Sequence, residues 1–278
     1  MPSFPPNTAR PWVQATMIVA MVIGVGIGFE RTRRPRVIVP PLHSSTNTSG
    51  TAAKTILLFT RTMKYRHTSI PAAVLAIDKL GQGQWNTEHT EDPNAFTTEN
   101  LSRFGAVVFL NTTGNVLHGN AETAFKNYIE SGGGFVGVHA AADTEYDWPW
   151  YGQLVGAWFR DHTKVIEADV RVEAPRDASM AGLPNPWRRA DEWYRFQSNP
   201  RGQVEVLASL HDTQLGEFTM NGDHPITWKH TQGNGRSWYT GMGHGKECYT
   251  EPSFLHHLRG GILWSMGVDL GASTPMSP

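Results

Sequence analysis

Cysteine is almost absent from this sequence, and the common cofactor motifs are missing. The one cysteine, Cys248, excludes an internal disulfide framework and any zinc or iron–sulfur site built from several cysteines. No H-E-x-x-H or C-x-x-C pair occurs. The glycine triplet at 132–134 precedes a predicted strand instead of a helix, so it is not a phosphate-binding loop. A nucleotide cofactor is therefore not expected.

Charge is also scarce, and neither sign dominates. Charged residues make up 18% of the 278 residues, below the ~25% of an average domain. The 24 basic and 25 acidic side chains give a formal net charge of −1, without the basic excess that nucleic-acid binding requires. With 39% hydrophobic residues, the composition is that of a globular protein and excludes broad disorder.

Histidine and tryptophan are the residues in surplus. The chain has 12 histidines and 10 tryptophans. Histidine is the side chain that binds metals and transfers protons near neutral pH. The composition therefore indicates a chemical site before any motif is considered.

Residues 1–36 are predicted to be separate from the folded body. Residues 12–29 carry no charge and would form a helix of roughly 27 Å, close to the thickness of a bilayer core. Arginines crowd residues 30–36, which favours a single-pass membrane anchor with a cytosolic body. The alternative is a cleaved signal peptide and a secreted body. Gly24 and Gly28 have the spacing of a helix-dimer contact, which allows a homodimer.

Residues 54–268 are predicted to form one α/β domain, between a flexible linker at 37–53 and a tail at 269–278. Short apolar runs alternate with segments of helical periodicity, which is typical of a mostly parallel sheet flanked by helices. Strands are predicted at 54–59, 105–110, 135–138, 163–173, 203–210, 226–230 and 236–240, and helices at 70–81, 121–129 and 253–266.

Histidines follow the ends of several predicted strands, where open parallel sheets bind their ligands. His139 comes directly after the third apolar strand and is predicted to be a catalytic acid, base or metal ligand. The alternative is a hydrogen-bonded structural histidine. His67, His162 and His244 lie in other loops, and all four imidazoles could hold zinc or another divalent ion if the fold brings them together.

Two adjacent carboxylates, Asp191 and Glu192, lie in a segment at 187–196 that is predicted to be an aromatic loop. A carboxyl group among aromatic rings can have a raised pKa and act as a general acid, so Glu192 or Asp191 is the expected second proton carrier. The alternative is a salt bridge that orders the loop, made with one of three nearby arginines: Arg188, Arg189 or Arg195.

A sugar ligand is expected to rest on aromatic side chains, because aromatic rings offer a large rigid contact surface. Trp158, Trp193 and Tyr194 are the candidates for this surface. Tyr65 and Arg66 follow the first strand and are also predicted to bind substrate.

The order of several motifs resembles the trehalose-utilisation (ThuA-like) family over residues 54–268. The resemblance implies the class I glutamine-amidotransferase-like superfamily, a flavodoxin-like sheet and a role in the metabolism of trehalose or keto sugars; additional strands are predicted in the C-terminal half. The motifs are Y-R-H at 65–67, G-G-G-F-V-G-V-H-A-A at 132–141, G-A-W-F-R-D-H at 156–162, D-E-W-Y at 191–194 and P-I-T-W at 225–228.

The chain departs from that superfamily at the nucleophile. A glutaminase needs a cysteine on the turn after the central strand, and this turn carries His139, while Cys248 lies elsewhere. Glutamine amidotransfer is therefore not expected. The hypotheses are a sugar-modifying hydrolase, lyase or isomerase, or a non-catalytic sugar-binding or scaffold module on a membrane tether.

Overall fold

The computed structural model describes residues 54–268. The predicted apolar helix at 12–29, the linker at 37–53 and the tail at 269–278 lie outside the described residues. Among the helices of the described region, none is long and apolar enough to cross a bilayer.

One nine-stranded sheet organises the described part of the chain, in the order β2-β1-β3-β4-β9-β8-β7-β5-β6. Four strand pairings are parallel and four are antiparallel, so the sheet is mixed instead of mostly parallel. The strands are β1 Lys54–Phe59, β2 Trp85–Thr90, β3 Phe104–Leu110, β4 Gly134–Val138, β5 Phe159–Val172, β6 Trp187–Phe196, β7 Glu205–Leu210, β8 His224–Gln232 and β9 Gly235–Thr240.

The parallel half of the sheet consists of β2, β1, β3, β4 and β9. This is the 2-1-3-4-5 order of flavodoxin-like sheets, with β9 in the fifth place. Its inner strands are almost wholly buried, which explains their continuous apolar runs. The four antiparallel strands, β5 to β8, form an insertion between β4 and β9 in the chain. They correspond to the additional strands that were predicted in the C-terminal half.

Two strands were not predicted from the sequence. Trp85–Thr90 is an edge strand whose polar residues are mostly exposed, so it lacks an apolar run. The expected loop at 187–196 is wrong, because this segment is strand β6 and pairs with β5 along most of its length. The strand pattern is hard to see in the sequence because exposed and buried residues do not alternate throughout. Arg188 and Ala190 are exposed, whereas the four residues from 191 to 194, two of them charged, are all buried.

Helices connect the parallel strands and cover the sheet. Pro71 stands in the first turn of α1 and Pro252 in that of α5, positions where a missing backbone N–H removes no helical bond. α5 packs against α1 and against the central strands β3, β4 and β9. The helices are α1 Ile70–Gly81, α2 Thr98–Leu101, α3 Asn120–Glu130, α4 Pro149–Val155 and α5 Pro252–Ser265.

His257 on α5 lies in the core. Its ring packs against Trp238 at a centroid distance of 4.6 Å and against Trp187 at 5.8 Å, and its Nδ1 is 3.2 Å from the Ser179 carbonyl oxygen. The side chain is fully buried. Burial lowers the pKa of His257 to about 3, because the interior disfavours the charged imidazolium.

Acid is therefore expected to destabilise the fold through His257. Between pH 6.5 and 3 the unfolded chain binds a proton at this residue that the folded chain does not. The free energy of unfolding then falls as the pH falls, by up to ~1.4 kcal/mol per pH unit. Denaturant titrations at pH 6 and pH 4.5 should show a shallower decline for His257→Gln than for the wild type. Equal declines would contradict this assignment.

Candidate metal centre

Four side chains meet beyond the carboxyl ends of the central strands. His67 lies in the loop after β1, His139 follows β4 directly, and His244 lies in the loop after β9. Glu192 reaches the same place from β6, so the antiparallel insertion contributes one side of the site. Three of the four predicted histidines are thus brought together, as the position of ligand sites at strand ends requires.

His139 is held in an uncommon backbone conformation. Its φ is +50°, in the left-handed region that residues with a side chain rarely adopt. Its carbonyl oxygen accepts a hydrogen bond from the Tyr239 hydroxyl at 2.8 Å, and its Nδ1–H donates to the Gly241 carbonyl oxygen at 2.8 Å. Donation from Nδ1 places the lone pair of the neutral ring on Nε2, the atom that faces Glu192.

The three imidazole rings surround a common point. Their centroids are 5.0 Å apart for His67 and His139, 5.2 Å for His67 and His244, and 5.3 Å for His139 and His244. The rings are steeply inclined to one another, at 71° to 86°. Steep mutual inclination is what allows three rings to direct one nitrogen each inward without stacking.

The ring nitrogens of these histidines fit a metal site. His67 Nδ1 and His139 Nε2 are buried and have no hydrogen-bond partner, and the buried His244 Nδ1 contacts the Glu192 carboxylate. A ligand atom from each histidine and one from Glu192 all lie within 4.8 Å of one another. Two nitrogens bound to one zinc ion at about 2.1 Å can be at most ~4.2 Å apart. Small side-chain shifts would therefore bring all four ligand atoms within bonding distance of one ion. These residues could therefore hold a divalent ion.

The carboxylate of Glu192 is the negative centre of the group. Its Oε2 is 3.1 Å from His244 Nδ1 and 3.5 Å from His139 Nε2. Burial alone would raise the pKa of Glu192, but the neighbouring imidazoles outweigh it and hold this pKa well below its ordinary value. The expected raised pKa of Glu192 is therefore wrong, because the aromatic neighbours in sequence are not the groups that face it, while its role as a proton carrier stays a prediction.

His67 and His244 respond to this environment in opposite directions. Burial, reinforced by the charges of His139 and His244, lowers the pKa of His67 to about 3. The ring of His67 is thus neutral and keeps a lone pair available at neutral pH. Contact with the Glu192 carboxylate raises the pKa of His244 despite partial burial. A metal that binds His244 therefore has to displace a proton whenever this imidazole is charged, so metal binding weakens as the pH falls.

Asp191 does not enter this group. Its side chain is fully buried and forms a salt bridge with Arg189 at 2.8 Å. This contact is the alternative considered from the sequence, a salt bridge with a nearby arginine. It also accepts backbone N–H bonds from Gly243 at 2.8 Å and His244 at 3.1 Å. Asp191 thus positions the loop that carries His244, and its role as a catalytic proton carrier stays a prediction.

His162 lies beside the group and outside it. Its Nδ1 is 3.0 Å from Glu192 Oε1 and 2.7 Å from the Thr163 carbonyl oxygen, to which it donates. The side chain is 46% exposed, unlike those of His67 and His139, which are buried. Glu192 occupies the fourth position that was predicted for His162, because the Nδ1–H of His162 donates to the Thr163 carbonyl oxygen and its lone pair is not directed at the centre.

Replacing His162 should therefore leave metal binding nearly unchanged. We expect His162→Ala to retain the zinc stoichiometry of the wild type after dialysis, with an affinity loss of at most about tenfold, at the lower end of the 10- to 100-fold range for residues next to a ligand. Metal content by mass spectrometry checks this, with zinc titration against a chromophoric chelator. Loss of zinc from His162→Ala would instead make His162 a ligand.

A cavity of about 300 Å³ opens at this group; His67, His244 and Glu192 line it, whereas the fully buried His139 does not. Tyr65, Phe159 and Tyr194 form its aromatic walls, and Asp143 adds a carboxyl group. Phe159 packs 4.4 Å from the Tyr194 ring, and Tyr194 packs 4.1 Å from the His139 ring.

Three predicted substrate contacts lie away from this cavity. Trp193 is fully buried, and its indole N–H donates to the Ile166 carbonyl oxygen, so it cannot offer a sugar platform. Trp158 is tied to the Thr144 carbonyl oxygen. Arg66 pairs with Glu91 at 2.6 Å. None of the three lines the cavity.

Sequence reasoning did not identify Phe159 or Asp143. Phe159, the first residue of β5, lines the cavity, whereas the predicted Trp158 precedes that strand and does not. Asp143 ends the short 3-10 helix His139–Asp143 and so stays close to His139. Its position five residues after the end of β4 is the signal in the sequence that could have identified it.

The fold agrees with the comparisons to known proteins. Residues 55–265 match the model of the trehalose-utilisation family, ThuA. A thua-like protein from Bacteroides uniformis is 27% identical, with a TM-score of 0.67 over 79% of this chain and 94% of that one. A thua-like protein from Parabacteroides merdae is 19% identical, with a TM-score of 0.68 over 81% and 94%.

A more distant likeness concerns the fold alone. The β-galactosidase from Bacillus circulans sp. alkalophilus is 15% identical, with a TM-score of 0.50 over 78% of this chain and 31% of that one. The comparison with curated proteins gave no match. Because the family model covers most of its length, this chain belongs to the trehalose-utilisation (ThuA) family.

Proposed function

We propose that this protein is an enzyme that acts on a small carbohydrate at a metal centre formed by His67, His139, His244 and Glu192. The observation that carries the proposal is the set of three buried ring nitrogens around one ionised carboxylate at an open cavity, two of them, on His67 and His139, without a hydrogen-bond partner. Buried polar atoms without partners are costly, and a bound ion would satisfy both. Zinc is the first candidate, since imidazole and carboxylate are its usual ligands.

The surrounding residues have roles that do not depend on the identity of the metal. The walls of Tyr65, Phe159 and Tyr194 can hold the apolar face of a sugar ring. Burial raises the pKa of Asp143, so this carboxyl group can keep a proton closer to neutral pH and pass it to a sugar oxygen. The half-exposed His162 is a second group that can exchange protons with solvent. A bound divalent ion supplies polarisation of a sugar carbonyl or a more acidic water.

Cysteine chemistry is not part of the proposal. Cys248 is buried, and it does not line the cavity. Burial raises the pKa of the Cys248 thiol to about 11, so the reactive thiolate is scarce at neutral pH. This supports a sugar-modifying hydrolase, lyase or isomerase over a glutamine amidotransferase.

The family assignment supports trehalose or a keto sugar as the substrate class. The direct test uses the full chain loaded with zinc and a panel of 3-keto glycosides, including 3-keto-trehalose, with product formation followed by chromatography. Turnover that disappears with a chelator and returns with zinc supports the enzyme. Zinc-dependent sugar binding without turnover supports the alternative, a non-catalytic sugar-binding module.

The apolar segment at 12–29 supports a second part of the proposal, attachment of the domain to a membrane with its body on the cytosolic side. Protease protection of a tagged full chain in membrane fractions tests it. Release of a shortened chain into the medium would support the alternative of a cleaved signal peptide.

A further inference from the structure

Asn111 is the first residue after strand β3, and it is fully buried. Its φ is +52°, a left-handed conformation that asparagine tolerates better than most residues with a side chain. The neighbouring strand β4 ends in the same way, since Leu110 pairs with Val138 and His139 follows with a φ of +50°. Asn111 and His139 are therefore neighbours at the carboxyl edge of the sheet, in the same uncommon backbone conformation.

Asn111 contacts two of the segments that carry the histidines of the metal centre. Its backbone N–H donates to the carbonyl oxygen of Val138, the residue before His139, at 3.2 Å. Its side-chain Nδ2 donates to the Ser69 hydroxyl at 3.3 Å, and Ser69 lies two residues after His67. Because Ser69 directly precedes helix α1, this contact fixes the turn by which the chain passes from His67 into the helix.

The third histidine segment is reached through the hydroxyl of Tyr249. Asn111 Nδ2 lies 3.5 Å from this oxygen, and the hydroxyl donates to the Gly243 carbonyl oxygen at 3.0 Å. Gly243 is the residue before His244, and it has a φ of +111°. A Cβ at this position would lie 2.9 Å from the Tyr249 hydroxyl, so the close approach requires glycine. One hydroxyl group therefore connects the Asn111 amide to the loop of His244.

Two features of Asn111 are unfavourable by themselves. The left-handed backbone is strained for a residue with a side chain. The buried Oδ1 has no hydrogen-bond partner within the part of the chain that the structure describes. Glycine at this position would remove both costs. Strained and unsatisfied groups are concentrated where a functional site needs them, so the contacts of the amide nitrogen account for an asparagine here.

We propose that Asn111 is a positioning residue that sets the coordination geometry of the metal centre. This inference rests on the proposed function, because it requires that His67, His139 and His244 bind one ion together. The three histidines come from loops that are far apart in sequence, and a shared contact at one buried side chain fixes these loops relative to one another. Asn111 does not line the cavity, so it acts on the metal through the loops and not by touching a substrate.

Zinc titration of the full chain against a chromophoric chelator tests the proposal with the variant Asn111→Gly. Glycine keeps the backbone N–H and tolerates the left-handed φ, so this variant removes only the side-chain amide. We expect it to bind zinc about 10- to 100-fold more weakly than the wild type, as for other groups that orient metal ligands. The visible absorption of the cobalt-loaded protein should also change, because it reports the arrangement of the ligands.

A control and a second variant separate positioning from general destabilisation. Asn221→Gly makes the same substitution at an exposed asparagine with a φ of +58°, outside the metal centre, and should bind both metals like the wild type. Tyr249→Phe removes the hydroxyl between Asn111 and Gly243 and should weaken zinc binding by about tenfold. The two losses should not multiply in N111G/Y249F, because both variants break the same connection.

The outcomes separate this inference from the proposed function. An Asn111→Gly protein with a lowered Tm but the zinc affinity and cobalt absorption of the wild type would overturn the positioning role, since a merely structural residue affects stability alone. If Asn111→Gly does not fold, an unchanged zinc affinity of Tyr249→Phe overturns it instead, and a tenfold loss supports it. Failure of the wild type to bind zinc would overturn both the positioning role and the proposed function.

Discussion

Replacing His139 by alanine is expected to lower the zinc affinity of the full chain by more than ~100-fold. Loss of a residue that merely supports a ligand costs about 10- to 100-fold, and His139 would be a ligand itself. Its Nδ1–H bond to Gly241 fixes the ring so that Nε2 faces Glu192. Competition with a chromophoric chelator measures the affinity, and mass spectrometry measures the zinc content after dialysis.

Two further variants test whether the loss of zinc affinity is specific to the proposed ligands. Glu192→Gln keeps the shape of the side chain and removes its charge, so we expect a clear loss of affinity with an unchanged fold. His211→Ala removes an exposed histidine away from the site and should bind zinc like the wild type. A His139→Ala protein that keeps stoichiometric zinc through dialysis would rule out the proposed ligand set. Cobalt in place of zinc would report the coordination through its visible absorption.

The position of the histidines was accessible from the sequence because it follows from strand order. His139 comes directly after a continuous apolar strand, and parallel strands carry their functional groups at their carboxyl ends. The same rule covers His67 after β1 and His244 after β9. Alternation of apolar runs and helical segments was sufficient to apply the rule, even though β2 was missed.

The role of Glu192 was not accessible in the same way. Its strand neighbours in sequence are aromatic, which predicts a raised pKa, whereas the groups that face it are His139 and His244. Those contacts exist only because the β5–β6 ribbon folds back over the ends of the parallel strands. Antiparallel insertions depend on register between distant segments, and a single sequence does not specify that register. The same reason explains why His162 was placed among the ligands.

The second large effect is expected at Asp191, through the stability of the fold. Asp191 and Arg189 have side chains that are 0% and 3% exposed, and their charged groups are 2.8 Å apart. Removing one partner of a buried ion pair typically destabilises a protein by ~3–5 kcal/mol, because the other charge stays buried without full compensation. Glu251 also contacts Arg189, at 2.9 Å, but its side chain is partly exposed and the pairing is correspondingly weaker.

Asp191→Ala should therefore unfold well below the wild type. A loss of this size corresponds to a decrease in Tm of roughly 10 °C for a domain of about 200 residues. A matched control comes from Asp161, which pairs with Arg195 through both carboxylate oxygens on the more exposed part of the same ribbon. Asp161→Ala should cost only ~1 kcal/mol, as is usual for exposed pairs. Thermal unfolding followed by circular dichroism compares the two variants.

The loss at Asp191 should persist in metal-free protein, and this separates positioning from metal binding. Asp191 stabilises the fold through Arg189 and through the backbone N–H groups of Gly243 and His244, none of which needs an ion. His139→Ala, in contrast, should lower Tm mainly in the presence of zinc, since a ligand that binds only the folded state stabilises it in proportion to its affinity. If chelator erased the difference between Asp191→Ala and the wild type, Asp191 would act through the metal, and its assignment as a positioning residue would be wrong.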